Sequence, residues 1–208
     1  MKRALRIVLL IAVMFMVVFS AHHLLHSSAK QETNQETSQK ASSTSSSKKD
    51  SSSTEDTTPS YMNKVNWRKS SENKAYPDLN KLSNVWIHVS IKNQRVYIKN
   101  GNKTVYTMYA STGIHNSTPR GTFHIQSERG NFFYNQSSGE GARYWVSFKD
   151  HGVYLFHTVP TDQYGKYNVK EADQLGKTAK SHGCVRLSIP DAKWFYNHIK
   201  EGTKVVIN

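Results

Sequence analysis

Apolar and polar positions divide the 208-residue chain into three stretches of different character. The first is an apolar run from Ile7 to Phe19, preceded by Lys2, Arg3 and Arg6. A basic start followed by such a run is an export signal. Continued through Ala21, Leu24 and Leu25, it reaches the roughly 17–25 residues that a spanning helix needs. Residues 1–26 are therefore expected to form a signal-anchor, with a cleaved signal peptide as the alternative. Basic residues at the N-terminus hold that end in the cytoplasm and place the rest outside. The second stretch, 27–60, is Ser, Thr, Gln, Lys, Glu and Asn with almost nothing apolar. It cannot bury enough surface to offset its ordering entropy, so a disordered Ser/Thr-rich linker is expected.

Apolar positions recur from Tyr61 onward. Residues 61–83 show no clear period, and Trp67, Tyr76 and Pro77 suggest an irregular lead-in packed on the domain. Val85, Ile87, Val89 and Ile91 then alternate with Trp86, His88 and Ser90, the period of a strand. Two β-type runs, Arg95 to Lys99 and Thr104 to Ala110, flank Asn100-Gly101, which predicts a hairpin. Thr118 to Phe123 reads as a turn entering a strand that continues to Ile125. Ser127 to Gly141 is rich in Gly, Asn and Ser and reads as a long loop. Strands follow at Tyr144–Phe148 and Gly152–Phe156, the second delivering His157 at its end. Pro160 to Lys180 reads as a polar loop or lid. Ser188 and Pro190 open a helix that shows Ala192, Phe195 and Ile199 on one face and stops at Gly202. Lys204 to Ile207 is a closing strand. The prediction is a mainly β domain with one C-terminal helix, spanning residues 84–208.

Charge narrows the setting. Twenty-eight basic residues against 15 acidic ones give a formal charge of +13. That favours an anionic neighbour. No zinc-finger spacing, basic heptad helix or RNA-binding aromatic signature accompanies it, so no nucleic acid is expected. The expected partner is an anionic cell-wall or membrane surface; solubility alone explains the charge equally well.

The chemistry centres on Cys184, the only cysteine. A lone cysteine forms no internal disulfide, and an unpaired thiol in an exported chain stands out. It sits in Ser181-His182-Gly183-Cys184-Val185-Arg186-Leu187. Nearby positive charge favours a thiolate, and backbone N–H groups at such a turn can receive an oxyanion. A cysteine nucleophile needs a base within reach. His182 is near in sequence, and His157 ends a strand that can lie beside the cysteine.

This seven-residue run resembles the signature of the L,D-transpeptidase (YkuD-type) catalytic domain. The Thr118-Pro119-Arg120-Gly121-Thr122-Phe123 segment is similar to a second family motif. The resemblance implies an L,D-transpeptidase-like β-sandwich that acts on peptidoglycan stem peptides with no cofactor and no metal. It implies Cys184 as nucleophile and His157 as proton donor and acceptor. Ser181, His182 and Gly183 become supporting residues of the cysteine loop. Thr158 falls where the family has a serine that steadies the base. Arg186 is a candidate for holding substrate or loop. The implied reaction forms 3-3 cross-links through a cysteine thioester, at the extracytoplasmic face of the cell membrane or in the wall. Rival readings are an L,D-carboxypeptidase of the same fold, a sortase-type cysteine transpeptidase, a metal site on His157, His182 and Cys184, and a non-catalytic wall-binding module.

Overall fold

The computed structural model describes residues 59–208; the expected anchor and nearly all of the expected linker lie outside the described residues. Nine strands form the domain: β1 (Val85–Ser90), β2 (Arg95–Asn100), β3 (Lys103–Ser111), β4 (Gly121–His124), β5 (Arg129–Asn135), β6 (Glu140–Lys149), β7 (Tyr154–Thr158), β8 (Val185–Leu187) and β9 (Lys204–Ile207). A one-turn helix, α1 (Val169–Ala172), precedes β8, and the main helix, α2 (Ile189–His198), follows it. The predicted mainly β architecture with one principal helix is what the structure has.

The strands run in one continuous order, β4-β9-β1-β2-β3-β8-β7-β6-β5. The order bends into two layers at β3, which pairs with β2 along most of its length and with β8 only at Ala110 and Ser111. The chain leaving β4 closes the other side. Gln126 N–H bonds Ser147 O at 2.8 Å and Ser147 N–H bonds Glu128 O at 2.9 Å. Phe123 meets Phe148 edge-on there, with ring centres 5.7 Å apart.

Alternation explains the main core. Ile87, Val89, Val96, Ile98, Val146, Phe156, Val185, Leu187, Val205 and Ile207 all point into it from their strands. Each such side chain contributes about 1.5–3 kcal/mol when removed from water. The Asn100-Gly101 turn forms as predicted, with Gly101 at φ +55°, a conformation that suits glycine. Helix α2 starts at its Ser188 cap, whose hydroxyl accepts the Asp191 N–H, with proline in the first turn. Ala192 and Phe195 seat it on the core.

Three expectations are corrected. The predicted loop at Ser127–Gly141 is instead a hairpin: β5 pairs with β6 from Arg129↔Val146 to Asn135↔Glu140. The segment after Pro160 is no free lid. It carries α1, and Ala172 and Leu175 are buried with Met62, Trp67, Tyr109 and Val159 in a second core. Helix α2 ends at His198, before Gly202: Ile199 is already extended, yet stays buried.

The lead-in packs on the open flank of β3, where β3 and β8 diverge. Glu72 Oε1 accepts the Thr107 N–H at 2.6 Å and Ser71 Oγ accepts the Tyr109 N–H at 2.7 Å. Side chains thus satisfy strand donors that lack a neighbouring strand there. Asp191 of α2 holds the same segment, accepting Ser71 OH at 2.5 Å and Tyr76 OH at 2.7 Å.

Candidate active site

The cysteine loop is built by close backbone packing. Gly183 has φ +142°, and a Cβ there would lie 2.9 Å from the Tyr154 ring and 3.1 Å from Ser117 O. Only glycine fits such a position. Ser181 Oγ donates to Cys184 O at 2.5 Å and accepts Gly183 N–H at 3.1 Å, stapling the loop to itself. Thr118 Oγ1 donates to Gly183 O at 2.9 Å and accepts Gly113 N–H at 2.7 Å. Thr118 was not among the expected site residues. The signal was there, since it begins the second motif, but nothing in the sequence gave its direction.

Strand pairing brings the second group. β7 runs parallel to β8 with Phe156↔Val185 and His157↔Arg186 in register. Cross-strand partners share a face, and so do residues two apart along an extended chain. Arg186 and His157 therefore share a face, and Cys184 sits in the bend that leads into β8. All three line a cavity of about 480 Å³, with Ser181, His182, Gly183, Glu140 and Phe133 on its walls.

His157 is buried, with Phe133 edge-on to its ring at 5.5 Å between centres. Its Nδ1 lies 2.6 Å from Thr158 O. A carbonyl only accepts, so Nδ1 carries the proton and Nε2 keeps its lone pair. The ring is thus held by the Thr158 carbonyl and not by its hydroxyl, which accepts the Arg143 N–H at 3.0 Å. Burial pushes the imidazole down to about 4; the Thr158 hydrogen bond opposes this and Arg186 adds to it.

Cys184 is half-buried, and its thiol donates to Val153 O at 3.6 Å. Burial pushes it up to about 11, against the Leu155 N–H and Arg186, which favour the thiolate, while Glu140 disfavours it. Both shifts favour a neutral thiol beside a neutral imidazole at rest, with burial outweighing the positive charge of Arg186. No hydrogen bond among the described residues joins the two side chains directly.

His182 is largely exposed; its Nδ1 lies 3.6 Å from Glu140 Oε2. Arg186, the candidate for holding substrate or loop, is 1% exposed and bound to two carboxylates. Among the described residues no three His, Cys, Asp or Glu side chains are grouped to hold a metal ion.

A sequence profile of the L,D-transpeptidase catalytic domain (YkuD) matches residues 84–207. The chain is also 49% identical over 148 residues to YciB of Bacillus subtilis (strain 168), itself assigned only provisionally as an L,D-transpeptidase; the match covers 69% of this chain and 75% of YciB. This chain belongs to the L,D-transpeptidase catalytic domain family. Among solved structures, an L,D-transpeptidase from Mycobacterium smegmatis is 20% identical, with a TM-score of 0.49 over 60% of this chain and 58% of that one. One from Mycobacterium tuberculosis H37Rv is 25% identical, with a TM-score of 0.48 over 60% and 57%. The overlap thus spans less than two thirds of those two chains. Membership rests on the profile and on YciB. As a member of this family, the chain carries the cysteine run on β8 and its preceding loop, with the upstream histidine on the adjacent strand.

Proposed function

We propose that this domain is a peptidoglycan L,D-transpeptidase that works through a Cys184 thioester. The observation that carries the proposal is the placement of His157 on β7 and of Cys184 immediately before the parallel strand β8, both lining one cavity. For the reaction the thiol leaves Val153 O for His157 Nε2. His157 takes the thiol proton as sulfur attacks the carbonyl of the third stem residue, an L-centre. Backbone N–H groups around Gly183 and Cys184 receive the oxyanion; the Gly183 N–H leaves Ser181 Oγ to do so. The C–N bond to the terminal D-alanine breaks, the leaving amine takes the proton from His157, and a thioester remains.

A side-chain amine of a second stem then attacks the thioester. Its proton passes to His157 and on to the departing sulfur, and a 3-3 cross-link results. Water in place of the amine gives L,D-carboxypeptidase activity. No step uses a metal or cofactor. The basic, apolar start of the chain supports a site outside the cytoplasm, anchored at the membrane and attracted to anionic wall or lipid. The test is incubation with tetrapeptide muropeptides, following D-alanine release and dimer formation. Wild-type protein is expected to release D-alanine with dimers, and Cys184→Ala to do neither. Full activity in Cys184→Ala, or dimers lacking the 3-3 bond, overturns the reading.

A further inference from the structure

Arg186 sits beside the reacting pair, yet both ends of its guanidinium are spent on side chains from elsewhere in the chain. NH1 donates to Glu171 Oε2 at 2.9 Å. NH2 donates to Glu140 Oε1 and Oε2 at 2.9 and 2.8 Å. Its Nε is buried with no hydrogen-bond partner among the described residues, so the head group's hydrogen bonds go to those two carboxylates. Glu171 belongs to α1, in the segment between β7 and β8; Glu140 opens β6 at the base of the β5–β6 turn. The β5–β6 segment lines the cavity through Phe133, Asn135, Ser138 and Glu140, whereas the α1 segment contributes no lining residue and is tied to it through the Glu171–Arg186 bond.

We infer that Arg186 is a positioning residue that ties the cavity-lining hairpin to the α1 segment, with Glu140 and Glu171 as the two grips. A guanidinium is planar, with donors in a rigid fork, so two carboxylates on different edges are held at a set separation. A lysine, with one mobile point charge, cannot hold both. The carboxylates are about three-quarters buried, at 27% and 23% exposed, and they share one cation, so each depends on it for its compensation. Glu140 is on the cavity wall and also lies 3.6 Å from His182 Nδ1, so the hairpin meets the cysteine loop a second time. Glu171 is not among the lining residues and acts through Arg186. The width available to a bound peptide is thereby set from behind the strand that follows the nucleophile. Only the naming of that peptide as a stem peptide rests on the proposed function.

The test is amide hydrogen exchange on the full chain, for wild type, Glu171→Gln, Glu140→Gln and Arg186→Lys. Glu171→Gln should quicken exchange across 161–175 by about tenfold and leave 129–142 unchanged. Glu140→Gln should do the reverse, and Arg186→Lys should quicken both. With tetrapeptide donor, Glu171→Gln should raise KM several-fold and change kcat less, a split that general destabilisation does not produce. Unchanged exchange in both single variants, or the same change in both segments from either one, overturns the inference. If Arg186→Lys does not fold, the two glutamine variants decide alone. If wild type shows no activity on stem peptides, the functional reading fails while the exchange pattern still decides the clamp.

Discussion

Two polar clusters lie five residues apart, one at Arg186 of β8 and one at Asp191 of α2, and they hold the chain by different means. Arg186 is a buried cation between two carboxylates drawn from distant segments. Asp191 is a buried carboxylate among neutral donors, the hydroxyls of Ser71 and Tyr76 and the N–H of Ser71, while its own N–H is spent on Ser188 Oγ. Burial raises the Asp191 carboxyl above its ordinary range, although the hydrogen bonds from Ser71, Tyr76 and Ser188 oppose this. The first cluster ties a wall of the cavity to a segment that does not line it. The second docks the lead-in onto a packed helix. Full charges at fixed geometry serve the first task; neutral hydrogen bonds suffice for the second.

The sharpest way to break the comparison is to remove the cation. Arg186→Met leaves two partly buried carboxylates without a partner and should cost about 3–5 kcal/mol, read as a fall in the denaturant midpoint. Lowering pH should have the next largest effect. His157 has a native pKa of about 4 against an ordinary 6.5. Between those values the unfolded chain takes up a proton that the native site refuses. Native stability therefore falls as pH drops from about 6.5 to about 4, by about 3 kcal/mol, and this contribution is flat below that. His157→Gln should abolish that slope. Asp191 has the opposite sign, since its raised pKa makes protonation favour the native state. Asp191→Asn keeps an acceptor for one of the two hydroxyls and should cost only about 1–2 kcal/mol. At the small end, the exposed His151–Glu128 pair, 2.7 Å apart, should be dispensable: Glu128→Gln should leave Tm unchanged.

Much of this was legible where the signal is local. The alternation of Val85 to Ile91, the Asn100-Gly101 turn, the Ser188 cap with Pro190 and the cysteine run each lie within a few residues of what they specify. The β5–β6 hairpin was not legible. Gly130, Asn131 and Asn135 are poor strand formers, and three consecutive aromatics, Phe132, Phe133 and Tyr134, hide the inside–outside alternation. The turn that joins the strands also lacks the two-residue signal that marks β2–β3. The partners of Arg186 were hidden for another reason. Glu171 is 15 residues away and Glu140 is 46, and no periodicity links such positions before the fold brings them together. The same holds for the neutral state of the reacting pair. Motif residues name the nucleophile and base, but burial decides their protonation, and burial is a property of the folded cavity.

The central claim is that His157, neutral at rest, takes the proton from Cys184 as the sulfur attacks. The most direct measurement is the rate of acyl adduct formation on Cys184 with a tetrapeptide donor, followed by intact mass in wild type and His157→Gln across pH. Wild type should acylate at a nearly constant rate down to pH of about 4, where the imidazole becomes protonated. His157→Gln should be slower at neutral pH by about 10²–10⁴-fold, with a rate that climbs toward the thiol pKa of about 11. Equal rates in the two proteins at neutral pH would contradict the account.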